Sequence, residues 1–250
     1  MPLIRCHSGN PSHHPCVFLH GFLGAKEDWE KMWDVLNHSF FCLGFDLPGH
    51  GSSPGISPDY LRILSQEIKD SVASAPILIG YSLGGRLALQ LAEADPSGYS
   101  HVILLSAHTG IQDQKEREAR LIFDLKWIDK LKSLTMDAFL KEWYEQPLFR
   151  SLHKKPDLLQ SILKKRGIQD PQRMAEVLWM LSAARQKAID SFHPRTLFLY
   201  GEEDEKYQKL YSALPKELNV RKIDQCGHVV HLENPMICAE RILQWLEENR

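Results

Sequence analysis

The sequence has no long apolar run. Its longest uninterrupted apolar stretch, residues 177–181, is five residues, against the roughly 20 that a bilayer span requires. Residues 1–15 hold His7, His13 and His14 but no apolar h-region, so no secretory signal is expected. Cysteine is scarce and scattered. Cys6, Cys16, Cys42, Cys226 and Cys238 are odd in number and form no C-x-x-C pair. They read as small buried hydrophobes of a reducing cytoplasm, not as a disulfide framework. A charge excess is missing too. Thirty Lys and Arg face 32 Asp and Glu, a formal net charge of −2, which offers no basic footprint for nucleic acid. There is no P-loop and no G-x-G-x-x-G after a strand, so no nucleotide, flavin or metal cofactor is expected. What is present is 43% hydrophobic residues in a chain of 250, enough for one substantial α/β core.

Short apolar segments at 16–20, 40–46, 76–81, 101–107, 196–200 and 220–224 are bounded by turn residues and predict strands. Most are almost continuously apolar, the pattern of a parallel sheet buried on both faces. Helical spacing appears at 60–74, 86–93 and 236–247. Strand–helix alternation implies a doubly wound, mostly parallel α/β sheet. The alternation stops between 109 and 192, where helical patterns at 119–131, 136–144, 157–165 and 174–187 occur without a strand. We expect a helical lid there, inserted between core segments 1–108 and 193–250. The insertion carries 16 Lys and Arg against 12 Asp and Glu, a net of +4, and the remainder 14 against 20, a net of −6. Solvated helix faces account for such a bias as readily as a ligand does.

Residues Gly80-Tyr81-Ser82-Leu83-Gly84 form G-x-S-x-G between a predicted strand and a predicted helix. In that context a sharp turn lifts the serine hydroxyl above the sheet edge. Such a serine needs a base and a residue that orients the base, in the order Ser, Asp or Glu, His. Asp204 follows the strand 196–200, and His228 follows the strand 220–224. Both therefore belong to the sheet edge where α/β sites form, as orienting carboxylate and general base. Glu202, Glu203 and Asp224 are alternatives to Asp204, and His231 to His228. A zinc site from His228 and His231 lacks a third ligand at usable spacing. The first strand runs into His20-Gly21-Phe22-Leu23-Gly24. The N–H groups of Phe22 and Leu83 are expected to make an oxyanion hole. His20 and the turn-rich loop 46–53 read as scaffold.

These motifs, HGF, DLPGHGSS, GYSLGG and the late GH, occur in the order of the α/β-hydrolase superfamily, which the chain resembles over nearly its whole length. GYSLGGR at 80–86, GEEDEKY at 201–207, GHVVHLENP at 227–235 and WYEQPLF at 143–149 look more closely like the 2-succinyl-6-hydroxy-2,4-cyclohexadiene-1-carboxylate synthase family of menaquinone biosynthesis. The resemblance implies an elimination: the triad removes a proton beside a succinyl ketone, pyruvate leaves, and no lasting acyl-serine forms. It implies a small polycarboxylate substrate, hence cations near Ser82. Arg86 lies one helical turn beyond the serine, and Arg120 and Arg166 are similar to the family's lid arginines. Tyr81 and Trp143 would line the pocket. The run Asp124-Leu125-Lys126-Trp127 departs from the family, whose members often carry Asp-Arg before a lid tryptophan. The alternative activity on this scaffold is a carboxylesterase or thioesterase with an acylated Ser82.

Overall fold

The computed structural model describes residues 2–249. Seven strands make one sheet: β1 Arg5–Ser8, β2 His14–Leu19, β3 Phe40–Phe45, β4 Ile77–Tyr81, β5 His101–Leu105, β6 Thr196–Gly201 and β7 Asn219–Ile223. Their order is β1-β3-β2-β4-β5-β6-β7. Only β1 runs antiparallel to its neighbour, and every other pairing is parallel. All five residues of β4 are buried, and Val17, Phe18 and Leu19 of β2 have no exposure. Continuous burial on both faces is what their unbroken apolar sequences require.

The helices on the sheet are α1 Glu30–Leu36, α2 Tyr60–Ser71, α3 Leu83–Ala94, α8 Glu205–Ser212, α9 Val230–Glu233 and α10 Pro235–Glu248. Helix α1 packs on α10 and α2 on α3. The chain goes from β2 outward to β3, then returns across β2 to start β4. The order therefore reverses between β2 and β4, whose C-terminal ends open the crevice where ligands bind in such sheets.

Between β5 and β6 the chain forms α4 Gln114–Ser133, α5 Met136–Tyr144, a 3-10 stretch Pro147–Lys154, α6 Pro156–Arg166 and α7 Pro171–Met180. Side-chain caps start three of these helices. Asp113 accepts from Glu116 N–H, Thr135 from Ala138 N–H, and Asp170 from Gln172 and Arg173 N–H. Helix α7 stops at Met180, not at the expected 187. Its last carbonyls are engaged from outside: the Arg86 guanidinium donates to Leu181 O at 2.6 Å. Next to it the Ser182 hydroxyl donates to Asp124 at 2.6 Å and accepts from Ala184 N–H at 3.1 Å. Cations at a helix C-terminus are favourable.

Three elements escape the periodicity. Strand β1 is a four-residue polar edge with alternating half-burial. Helix α1 has seven residues, too few for a clear repeat. Helix α8 begins at once after Asp204, so that residue is a helix N-cap and not mid-loop as its sequence position suggested.

Gly84 ties the serine turn to the sheet. A Cβ there would overlap the carbonyl oxygen of Leu19 at the end of β2. Gly84→Ala should cost about 1–3 kcal/mol as an overpacking change, read as a melting-temperature drop of about 2–4 °C per kcal/mol. An unchanged melting temperature would mean that α3 and β2 can part freely.

Candidate active site

Ser82 joins β4 to α3 with φ 49° and ψ −108°. Its N–H donates to Leu105 O on β5 at 2.9 Å, which fixes the turn against the neighbouring strand. The hydroxyl stands at the crevice, and His228 Nε2 lies 3.4 Å from Ser82 Oγ. His228 Nδ1 lies 2.8 Å from Asp204 Oδ2. A carboxylate only accepts, so Nδ1 carries the ring proton and Nε2 offers a lone pair to the serine. The other Asp204 oxygen accepts Tyr207 N–H at 3.2 Å. One side chain thus caps α8 and orients the ring. Asp204 and His228 are both buried. The three residues named from sequence meet in one line. Glu202 and Asp224 instead pair with Lys222, and Glu203 with Lys154.

The loop that carries His228 is held by Glu233, a residue that sequence reasoning missed. Its carboxylate accepts Gly227 N–H at 3.0 Å and Val229 N–H at 3.1 Å. From the inserted helices, Lys155 donates to Gln225 O and Glu233 O, each at 2.9 Å.

The loop after β2 is held by two histidines. His20 Nδ1–H donates to Gly21 O at 2.8 Å, while its Nε2 accepts Leu47 N–H at 3.0 Å. His50 Nε2 accepts Leu23 N–H at 3.2 Å. Gln169, also missed, donates to Gly24 O at 3.1 Å and accepts Gly51 N–H at 3.1 Å. Neither Phe22 N–H nor Leu83 N–H has a protein acceptor among the described residues. Leu83 is the first residue of α3, where orphan N–H groups and the helix dipole favour negative charge.

Beside the serine lies a cavity of about 280 Å³. Tyr81, Arg86, Arg120, Trp143 and Arg166 all line it. Arg86 is buried, and its terminal nitrogens donate to two neutral oxygens, Gln186 Oε1 at 2.8 Å and Leu181 O at 2.6 Å. Burial, and then the charge of Arg120, push its pKa down to about 10. Arg120 donates to Asp124 at 2.8 Å. Arg166 is different. Its two terminal nitrogens sit on Asp28 at 2.9 and 2.5 Å, both residues buried. Only its Nε lacks a partner among the described residues. Asp28 lies 138 positions away, so no spacing in the sequence pointed to it. Trp143 packs against Phe22, Trp127 and Phe139 as well as lining the cavity. His231 lies between Trp29 and Tyr81, tilted against both, with ring centroids 4.5 and 4.3 Å apart. Burial drives its pKa down to about 3, so it stays neutral and is no base for Ser82.

The comparisons with known proteins agree with this fold. The pattern of the Alpha/beta hydrolase family matches residues 16–241, and the chain belongs to that family. Within it, the chain is similar to proteins named 2-succinyl-6-hydroxy-2,4-cyclohexadiene-1-carboxylate synthase. The one from Klebsiella pneumoniae is 31% identical, over 94% of this chain and 96% of that protein. The one from Escherichia fergusonii is 32% identical over 91% of each. Among solved structures, MenH from S. aureus superposes with a TM-score of 0.88 at 26% identity, over 98% of both chains. A thermophilic esterase from Thermogutta terrifontis follows the same fold at a TM-score of 0.78 and 20% identity, over 98% of this chain and 93% of that one.

The buried histidines make folding sensitive to acid. Burial lowers the pKa of His20 and His50 as well as that of His231. Unfolding releases each ring to its ordinary value near 6.5, so below that pH the unfolded chain binds more protons. Their contribution is complete above pH 6.5 and is lost progressively toward the folded value, about 3 for His231. Between pH 6.5 and 5 the loss from His231 should be on the order of 1–2 kcal/mol, with His20 and His50 adding in the same direction, measured by urea unfolding. His231→Phe, which keeps a ring between Trp29 and Tyr81, should flatten that slope; an unaltered slope would remove His231 from the account.

Proposed function

We propose that this chain is a carbon–oxygen lyase of menaquinone biosynthesis. It eliminates pyruvate from 2-succinyl-5-enolpyruvyl-6-hydroxy-3-cyclohexene-1-carboxylate and leaves 2-succinyl-6-hydroxy-2,4-cyclohexadiene-1-carboxylate. The observation that carries this reading over an esterase is Arg86, a buried guanidinium beside the serine that pairs directly with no carboxylate among the described residues. A buried charge without an ionic partner is costly, and an anionic substrate supplies that partner. The similarity to proteins named as such synthases supports the same reading.

In this mechanism His228 Nε2 takes the Ser82 proton, and the serine oxygen removes the ring proton next to the succinyl ketone. The N–H groups of Phe22 and Leu83 receive the enolate oxygen. Oxyanion donors of this kind are each worth about 3 kcal/mol. The enolate then re-forms its carbonyl, the ring double bond shifts, and a second double bond forms as the bond between C5 and the enolpyruvyl oxygen breaks. The proton held by His228 goes to the departing enolpyruvate, which becomes pyruvate. Arg86, Arg120 and Arg166 hold carboxylates, and Tyr81 and Trp143 face the ring. Residues 109–192 act as the lid over a core of 1–108 and 193–250. The five cysteines are all unpaired, which fits a reducing cytoplasm, and no helix among the described residues is long and apolar enough to cross a membrane.

The test is pyruvate release from the enolpyruvyl precursor by purified protein, run beside a p-nitrophenyl ester. Elimination should dominate, whereas ester turnover without pyruvate release would favour the esterase. Ser82→Ala should abolish pyruvate release, and retention of more than about a tenth of the rate would refute the serine's role, since triad losses cost far more. Arg86→Ala should weaken kcat/KM by about 1.5–3 kcal/mol, the scale of a charge-assisted hydrogen bond. A change of less than a few-fold would take Arg86 out of the site.

A further inference from the structure

Two basic side chains at the cavity, Lys206 and His108, have no part in the mechanism above. Lys206 stands in the first turn of α8, two positions beyond Asp204. His108 follows the end of β5. Both line the same cavity as Ser82, together with Arg86 from α3 and Arg120 from α4. Four separate parts of the chain thus deliver four nitrogen-bearing side chains to one space.

Their partners are unequal. Arg120 has one carboxylate, Asp124, whose other oxygen accepts the Ser182 hydroxyl at 2.6 Å. Arg86 has neutral oxygens only. Lys206 is an exposed residue whose ammonium lies 5.8 Å from the Tyr207 ring centre, and it has no hydrogen-bond acceptor and no carboxylate within 4.0 Å among the described residues. His108 Nδ1 accepts Gly110 N–H at 2.9 Å, so in the neutral ring the proton lies on Nε2. Burial, with the charges of Lys206, Arg86 and Arg120, pushes the His108 pKa down to about 4. The ring is therefore a neutral donor kept so by its neighbours. Of these three cations only Arg120 has a direct carboxylate partner; Asp204, whose charge also acts on Lys206, is engaged by His228 and Tyr207 N–H. Arg166, also on the cavity wall, is already matched by Asp28. One ligand carboxylate would leave either Arg86 or Lys206 without a direct anionic partner, whereas two supply one to each.

We propose that Lys206 and His108, with Arg86 and Arg120, form one subsite that takes two carboxylates of a single ligand, and that Lys206 is the residue that selects a dianion over a monoanion. The proposal deepens the elimination reading by assigning two of the substrate's three carboxylates to this subsite. It requires binding only, so it can be tested without turnover.

Calorimetric titration of the full chain with glutarate, tricarballylate and butyrate separates the outcomes. The two polycarboxylates should bind well above butyrate. Lys206→Met should weaken glutarate binding by about tenfold or more, the size of one lost charge-assisted contact, and leave butyrate nearly unchanged. Lys206→Arg should restore most of the loss. The melting temperature of Lys206→Met should stay within about 2 °C of the parent, which shows that the fold is intact. His108→Phe should weaken glutarate as well. Glutarate binding by Lys206→Met within twofold of the parent, or wild-type protein that binds glutarate no better than butyrate, overturns the subsite. Should the polycarboxylates bind in a Lys206-dependent way while no pyruvate is released, the lyase reading fails and the subsite stands.

Discussion

The site depends on one backbone conformation. Ser82 holds φ 49°, a left-handed value that costs a residue with a side chain roughly 1–2 kcal/mol. The surroundings leave it no alternative. Its N–H is bonded to Leu105 on β5, and Gly80 and Gly84 let α3 start so close to the sheet that any Cβ would collide with backbone. From this one bend three consequences follow. The hydroxyl leaves the strand toward the crevice, the first N–H of α3 is left without an acceptor, and Gly84 rests on the end of β2. The last contact places the Phe22 loop beside the serine. Reach between hydroxyl and imidazole, and the nearness of the unbonded Phe22 and Leu83 N–H groups, is therefore a property of close backbone packing, and side-chain choice comes second.

The remaining parts are fixed by polar staples, many of them from the inserted helices. Lys155 holds the His228 loop, Gln169 joins the Phe22 loop to the 46–53 loop, and Arg173 donates to Gly51 O and Ser53 O. The buried Arg166–Asp28 pair fastens α6 to the segment before α1. An ion pair so buried contributes little net stability against an apolar pair of the same volume, but loss of either partner is costly. Its effect is positional. The insertion thus sets the loops that hold the reacting groups, and preorganised donors of this kind are where enzymes gain most of their rate.

Legibility followed the range of the interactions. Five of the parallel strands were readable because each holds a short apolar run, while β7 is a mixed edge strand with only Ile223 buried; the bend at Ser82 was readable because glycines must flank it. Asp204 and His228 were readable because sheet topology sends both strand ends to one edge. Asp28, Gln169, Glu233, His108 and Lys206 were not. Asp28 and Gln169 act across more than a hundred positions, and a lone Asp or Gln in a sequence carries no sign of its partner. Lys206 sits inside the quoted GEEDEKY, yet only the placement of α8 turns it from a surface lysine into part of the cavity wall. His108 lies three positions beyond the end of β5, and the rule that strand ends carry chemistry would have found it. Helix α7 was overextended because its end is set by Arg86, a residue 95 positions earlier.

Charge distribution around the cavity argues for the kind of molecule it takes. A serine site for simple esters has no need of buried cations, since desolvating a guanidinium works against the fold. Here Arg86 is buried with neutral oxygens alone, and Arg120 beside it lowers its pKa further. Those same neutral contacts give the cost a second use. By capping the end of α7 and bonding Gln186, Arg86 holds the insertion in place while its charge remains uncompensated. A ligand carboxylate that reaches this side gains attraction in a low-dielectric cavity without having to break a protein ion pair first. On the Arg166 side an incoming anion meets a guanidinium already neutralised by Asp28, so attraction there is weaker and shape decides. The difference between the two sides would orient an asymmetric polyanion before any chemistry at Ser82 begins.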